Sequence, residues 1–233
     1  MAERDRGGAP RFGTEPIAHP WFAALYDALV PMEWLLAPHR VYLARNLSGR
    51  VLDLGAGTGA LFPHLAVAAE SAAERGNALE LHAVEPDPHM RRRAVRTAER
   101  DGVAVDIRDA RAEALPYEDD AFDAVLSAMV FCTVQDPDRA LEEVARVLTP
   151  GGEFRFLEHV HADGWRASGQ RFVNPLWKRV AGGCHLTRDT VGRFVDHQAF
   201  TVEELERVDL GIFPATPFVR GRLRRRREGV FGT

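Results

Sequence analysis

The side chains that could do chemistry fall into two groups. In the first, Asp53 precedes three glycines at alternate positions, Gly55, Gly57 and Gly59, with Ala56 between the first two. Glu85 and Pro86 end the next apolar run. A glycine turn that leaves a strand and enters a helix makes a floor of bare backbone, because only Gly takes positive φ or close approach at low cost. A carboxylate beside that floor can hold the loop or meet an ammonium group. One at the next strand end can accept from ribose hydroxyls. The second group lies downstream. His159 ends a later apolar run and His185 follows in the next segment. An imidazole with an intrinsic pKa near ~6.5 suits proton removal at neutral pH. A structural role that shapes a pocket suits His159 equally well. Glu158 orients His159 or caps a loop, and strand neighbours face opposite ways, which counts against a shared site. Cys132 and Cys184 have no zinc-like spacing and make no disulfide framework. They read as apolar fillers.

The elements that position these residues follow from periodicity. Val51–Leu54, Leu79–Val84, Val103–Ile107, Phe122–Ser127 and Glu153–Leu157 read as strands. Helices are expected over Leu61–Arg75, from Pro88 with a face of Met90, Ala94, Val95 and Ala98, and from Pro137 with a face of Leu141, Val144, Ala145 and Leu148. Pro150-Gly151-Gly152 stops the last of these. Strands alternating with helices imply right-handed βαβ units and a parallel sheet, whose ligands bind beyond the carboxyl ends of the strands. Residues 1–20 read as a loose polar arm and 21–233 as a single domain. Within it, 21–48 are two helices joined at Pro31 that could form a lid, and 160–200 a substrate-side insertion. There Asn174–Ala181 looks helical, and Thr187 is a plausible N-cap for a helix bearing Val191, Phe194 and Val195. Thr201–Leu210 and Phe218–Leu223 are expected to close the sheet.

With 233 residues, 45 % of them hydrophobic, the chain can bury a full core. Its net charge of −4 gives no reason to expect nucleic acid as a partner. No window approaches the ~18 apolar residues of a membrane span. Met1–Pro20 lacks the apolar core of a secretory signal, so a reducing cytoplasm is the expected compartment. The run Arg220–Arg227 reads as a solvated end or as a weak contact for an anionic surface. Arg91–Arg93 read as solvated.

The glycine loop formally fits the dinucleotide fingerprint, with Ala60 at its last position. It fits the nucleoside-binding turn of enzymes that use S-adenosylmethionine better, because Asp53 could meet the ammonium of an amino-acid ligand and the dinucleotide motif does not need the third glycine. A wider set of segments resembles the class I S-adenosylmethionine-dependent methyltransferases: Val51–Gly59, Ala112–Pro116 with Asp120–Asp123, and Leu141–Gly152. Phe156–Val160, Asn174–Trp177 and Gly183–Arg188 resemble more narrowly the methyltransferase-like seven branch of alkyl-thiol methyltransferases and its bacterial relatives. The resemblance implies an α/β fold with a doubly wound, mostly parallel seven-stranded sheet, Rossmann-like, with an N-terminal helical lid. It implies S-adenosyl-L-methionine as cofactor. Asp53, Gly55, Ala56, Gly57 and Gly59 would then underlie its methionine part and ribose, and Glu85 with Pro86 the ribose hydroxyls. Ala112 and Glu113 would border the adenine, Ser127 and Ala128 would close the far wall, and Tyr26 would belong to the lid. Two departures stand out. The animal members carry a hydrophobic N-terminal anchor where this chain is polar, and Arg111 stands where many relatives have Asp or Asn, which leaves Asp109 as a substitute.

The expected activity is methyl transfer to a small, fairly apolar acceptor, first a thiol, with Phe172, Leu176 and Trp177 as wall and His159 or His185 as base. A quinone or phospholipid acceptor is the alternative. An NAD-dependent oxidoreductase is a weaker one, since the sole lysine, Lys178, forms no Tyr-x-x-x-Lys pair. A catalytically silent cofactor-binding module is another.

Overall fold

In the computed structural model, residues 33–162, 164–180, 183–211 and 216–227 are described. Thirteen elements follow in order: α1 Glu33–Ala44, β1 Gly49–Leu54, α2 Phe62–Glu74, β2 Leu79–Val84, α3 Pro88–Asp101, β3 Val105–Arg108, β4 Phe122–Ala128, α4 Pro137–Val147, β5 Leu148–His159, α5 Gly164–Val180, α6 Thr190–Asp196, β6 Phe200–Val208 and β7 Phe218–Arg225. One seven-stranded sheet runs β3-β2-β1-β4-β5-β7-β6. The first five strands in that order pair in parallel. β7 is antiparallel to both β5 and β6. Strand order reverses between β1 and β4, which is where open α/β sheets leave a crevice for ligands.

The central strands are buried on both faces, which is why they read as unbroken apolar runs. Leu52, Leu54, Val125, Phe154 and Phe156 pack on one face with Leu141 and Val144 of α4 and Phe194 of α6. Val51, Leu81, Ala83, Leu126 and Leu157 pack on the other with Leu43 of α1, Leu65 of α2 and Ala94 of α3. Local chemistry sets the helix starts. Asp87 accepts from the N–H groups of His89 and Met90, with Pro88 in the first turn, and Asp136 accepts from Arg139, with Pro137 in the first turn.

Several expectations need correction. Val95 lies 39 % exposed, off the buried face of α3. Leu148 belongs to β5, and Pro150-Gly151-Gly152 lie within that strand. Phe122 faces Leu148 and Ala124 faces Glu153, so the intervening residues bulge out of the ladder. α6 is capped by Asp189, which accepts from Gly192, and not by Thr187. Val195 is exposed. The helix expected over Asn174–Ala181 is the second half of α5.

Most of the arginine run, Arg220–Arg225, lies in β7. Arg220 pairs with Glu206, Arg222 with Glu203 and Glu204, Arg224 with Glu153 and Glu203, and Arg225 with Asp120. These charges join β7 to its neighbours and to the turn before β4, so the anionic-surface reading of that run is left without support. Arg91 is likewise occupied, with Asp109 and with the carbonyls of Glu85 and Pro86. α1 is a packed layer: Leu36 and Leu43 are buried, and Tyr42 donates to Glu204 at 2.7 Å. The rest of the expected lid, including Tyr26, lies outside the described residues. Among the described residues, no helix is long and apolar enough to cross a membrane.

Candidate active site

The glycine loop leaves the carboxyl end of β1 with Gly55, Gly57 and Gly59 all at positive φ, +67°, +59° and +83°. It is tied down from three sides. Ala56 N–H donates to Val84 O at 3.0 Å, Gly57 N–H to Glu85 Oε2 at 2.9 Å, and Thr97 Oγ1 to Thr58 O at 2.9 Å. The three glycines differ in what a side chain would meet. A Cβ on Gly55 would lie 2.7 Å from Val130 Cγ2, and one on Gly59 2.7 Å from the Phe62 ring. A Cβ on Gly57 would meet nothing within 4 Å. Gly57 therefore borders open space at the crevice.

Asp53 sits under the loop, 2 % exposed. Its Oδ2 is buried with no hydrogen-bond partner among the described residues. Burial pushes its carboxyl up to about 7, with the nearby Glu85 charge adding to the shift and Arg40 opposing it. Glu85 spends one oxygen on Gly57 N–H and the other on Asp87 N–H at 2.8 Å. Burial holds its carboxyl above the usual range, against those two bonds. Each oxygen keeps a further lone pair, so a ribose hydroxyl could still donate to it.

The remaining expected cofactor contacts are mixed. Ala112 is buried in the apolar cluster that includes Leu115. Glu113 directs its carboxylate to the N–H groups of Gln135 at 2.8 Å and Asp136 at 3.3 Å, so its side chain holds the start of α4. Ser127 donates to Glu158 Oε1 at 2.8 Å, and Ala128 is half-buried against the opposite apolar cluster. Asp109, the candidate substitute at the adenine, is exposed and pairs with Arg91 at 2.8 Å.

Glu158 and His159 act apart. Glu158 Oε1 also accepts from the N–H groups of Val130 and Phe131, fixing the turn after β4. Burial raises its carboxyl above the usual range. His159 faces a group that sequence spacing gave no reason to expect. Its Nε2 lies 3.6 Å from Cys184 Sγ. Cys132, His159 and Cys184 offer ligand atoms that all lie within 4.8 Å of one another. Cys132 and His159 are buried, and Cys184 is half-buried. The two thiols expected as apolar fillers thus lie beside an imidazole. A hydrogen bond from Cys132 pushes the Cys184 thiol well down, and His159 adds to the effect against burial. The same bond, with burial, pushes Cys132 up.

His185 adds its backbone, donating to Cys132 O at 2.8 Å, while the residue before it supplies the side chain that reaches His159. The expected apolar wall is only partly present. Phe172 and Leu176 point outward on α5, 88 % and 63 % exposed. Trp177 and Leu186 are the inward residues of that segment, with Trp177 Nε1 and Leu186 buried.

Comparison with known proteins now bears on this crevice. Residues 52–156, from β1 to near the end of β5, match the family described as "Methyltransferase domain". That stretch is similar to the domains of that family. Thiol S-methyltransferase TMT1B of Rattus norvegicus is 42 % identical over 90 residues, 38 % of this chain and 36 % of that protein. Human thiol S-methyltransferase TMT1A is 42 % identical over 74 residues, 31 % of this chain and 30 % of its own length. A demethylmenaquinone methyltransferase of Thermus thermophilus is 41 % identical over 109 residues, 47 % of this chain and 46 % of that one. Each match spans less than half of those relatives. Among solved structures, a SAM-dependent methyltransferase of Aquifex aeolicus aligns over 89 % of this chain and 98 % of its own, with TM-score 0.59 at 16 % identity. The [4+2]-cyclase SpnF aligns over 88 % and 82 % with the same score at 19 % identity. Such likeness shows that the chain has the Rossmann-like fold of these structures. The cyclase is a reminder that this fold does not fix the reaction.

Proposed function

We propose that the chain transfers the methyl group of S-adenosylmethionine to a small, fairly apolar thiol. The observation that carries the cofactor half is the floor itself. The open side of Gly57 lies within a loop pinned by Glu85, and the unbonded Oδ2 of Asp53 lies buried beneath it. An amino-acid nucleoside fits these features: its ammonium offers Asp53 a partner, and its ribose hydroxyls offer donors to Glu85. Ala112 then supplies an apolar neighbour for the adenine. A bound S-adenosylmethionine supplies an already activated methyl, so the protein's tasks are to align the acceptor and exclude water.

The acceptor half is supported by the similarity to thiol S-methyltransferases and by the group at the carboxyl end of β5. A free thiol with pKa near ~8.5 is largely protonated at neutral pH, so its proton must leave before or during attack. His159 and the paired thiols of Cys132 and Cys184 are the polar groups placed to promote this. A quinol is the second reading, favoured by the Thermus relative.

Incubation of the full chain with isotope-labelled S-adenosylmethionine and a panel of alkyl and aryl thiols, quinols and phospholipids tests the reading by mass spectrometry. Label in a thioether is the expected result. Label only in a quinol or a lipid headgroup would replace the thiol and leave the methyl donor standing.

A further inference from the structure

We propose that Cys132, His159 and Cys184 form a zinc site whose fourth ligand is the acceptor thiol. The inference rests on the thiol reading above and gives that reading its means of activation. Three observations carry it: spacing, bracing and charge.

Zinc binds sulfur at about 2.3 Å and imidazole nitrogen at about 2.0–2.1 Å, almost always tetrahedrally. Neighbouring ligand atoms then stand about 3.5–3.8 Å apart by the same geometry. Cys184 Sγ and His159 Nε2 already stand 3.6 Å apart, and no pair in the group exceeds 4.8 Å. The longest pair need close by only about one ångström to reach the tetrahedral spacing.

The three ligands come from separate segments that are braced together. The Cys184 segment is tied to the Cys132 segment by His185 N–H on Cys132 O at 2.8 Å, and by Arg188 Nη1 on Phe131 O and Val134 O at 2.6 and 2.8 Å. Asn174 Oδ1 accepts from Leu186 N–H at 3.0 Å and anchors the same segment to α5. The site is thus built by contacts of its own and does not rest on a chance approach of side chains. Trp177 Nε1 is buried beside Cys184, where it can donate to the sulfur.

Charge agrees. Two thiolates and a neutral imidazole around a divalent ion sum to zero, so the loaded site is neutral where it is buried. Two protein thiolates alone could not be held there without a cation. Three protein ligands, Cys2His, leave one position open, as catalytic zinc sites do. The position lies beyond the carboxyl ends of β4 and β5. Val130, two residues before Cys132, touches the glycine loop that would hold the methyl donor.

The chemistry balances. The acceptor thiol enters the open position and releases its proton to solvent, because a thiol coordinated to zinc is deprotonated. Its sulfur then attacks the methyl carbon. The new S–C bond forms as the sulfonium S–C bond breaks, and that electron pair stays on the sulfur of S-adenosylhomocysteine. The thioether product carries no negative charge, binds zinc weakly and leaves.

The test uses the full chain, purified under thiol reductant and reconstituted with zinc or cobalt. Elemental analysis is expected to find about one zinc per chain. Cobalt is expected to give the visible bands of a tetrahedral ion with a thiolate charge-transfer band. Cys184→Ser, Cys132→Ser and His159→Gln should each weaken metal binding by about 100-fold or more, at least the upper end of what outer-shell partners are worth. Binding of S-adenosylhomocysteine, which does not touch the cluster, serves as the control for folding. Should a variant not fold, metal competition with a chelator on the wild-type chain decides the same point. Failure to take up zinc with both thiols reduced, or equal uptake by the folded variants, overturns the site. So does a Cys132–Cys184 disulfide that persists under the reductant. Thiol methylation should fall on chelation and return with zinc but not magnesium. A full rate without metal overturns the zinc role and leaves the thiol reading intact. Zinc held by all three residues with no thiol methylated overturns the thiol reading and the fourth-ligand role with it.

Discussion

Alanine placed at Gly55, Gly57 and Gly59 in turn separates the glycines that shape the loop from the one that faces the ligand. All three have positive φ, so each substitution carries the left-handed backbone penalty of roughly 1–2 kcal/mol. At Gly57 nothing else is added, since the new Cβ meets open space. At Gly55 and Gly59 the Cβ would stand 2.7 Å from Val130 Cγ2 and from the Phe62 ring, which must shift. Overpacking of that kind costs about a further 1–3 kcal/mol. Gly57→Ala should therefore cost roughly 1–2 kcal/mol of stability, and the other two roughly 2–5 kcal/mol. At about 2–4 °C per kcal/mol for a chain of this size, thermal melts resolve the difference. Cofactor binding should rank differently. The Gly57 methyl occupies the floor, so calorimetry with S-adenosylhomocysteine should show at least a tenfold loss, about 1.4 kcal/mol. Wild-type affinity in Gly57→Ala would refute the placement of the ligand over this glycine. A Gly57→Ala variant as unstable as the other two would refute the open space itself.

Other expectations follow from the buried carboxylates and from His159. The Asp53 carboxyl, at about 7, is protonated below that pH and must ionise to pair with an ammonium, so S-adenosylhomocysteine affinity should fall about tenfold per unit below pH 7 and level off above it. Asp53→Asn should flatten that slope in a calorimetric pH series, and an unchanged slope would remove Asp53 from the ammonium. Glu85→Ala should weaken both the loop and the cofactor, because it strands the N–H groups of Gly57 and Asp87 at roughly 1–3 kcal/mol each. A variant of full stability by denaturant titration would show those bonds to be immaterial. Glu158→Ala should destabilise by about 3 kcal/mol or more, since Ser127, Val130 and Phe131 all donate to one oxygen. Glu158→Gln, which keeps an acceptor there, should cost less than half as much, and equal losses would disprove the acceptor role. His159→Asn should slow thiol methylation by roughly 10²-fold at neutral pH, the deficit narrowing as the acceptor ionises unaided near pH ~8.5. A loss that does not vary with pH would point to misplaced substrate.

The parts of the fold that were legible in the sequence are those decided by neighbours in the chain. β1, β2 and β4 stand out because both their faces are buried, and α3 and α4 because Asp87 with Pro88 and Asp136 with Pro137 are local start signals. Where a partner strand decides, the sequence misleads. Pro150-Gly151-Gly152 resembles a stop between helix and strand, yet β5 begins before it because Leu148 pairs with Phe122 across a bulge. Thr187 and Asp189 are both good caps, and only the path of the backbone selects the second. Arg220–Arg227 resembles a free cationic tail until the register of β7 sets Glu203, Glu204 and Glu206 against it.

The candidate site divides along the same line. Its cofactor floor lies within β1, the turn after it and the end of β2, so the spacing of Asp53, the glycines and Glu85 exposes it. The acceptor side does not. Cys132 follows β4, His159 ends β5 and Cys184 follows α5, and no pairwise spacing among them carries a signal; only the joint position of the first two at strand ends could have hinted at their meeting. His159 and Cys184 also lie outside the residues 52–156 that match the methyltransferase domain. The matched region therefore holds the floor, and residues beyond it bring His159 and Cys184 to the rim of the sheet. The likeness to a [4+2]-cyclase shows the fold alone, so the reaction depends on what later segments bring to the rim of the crevice.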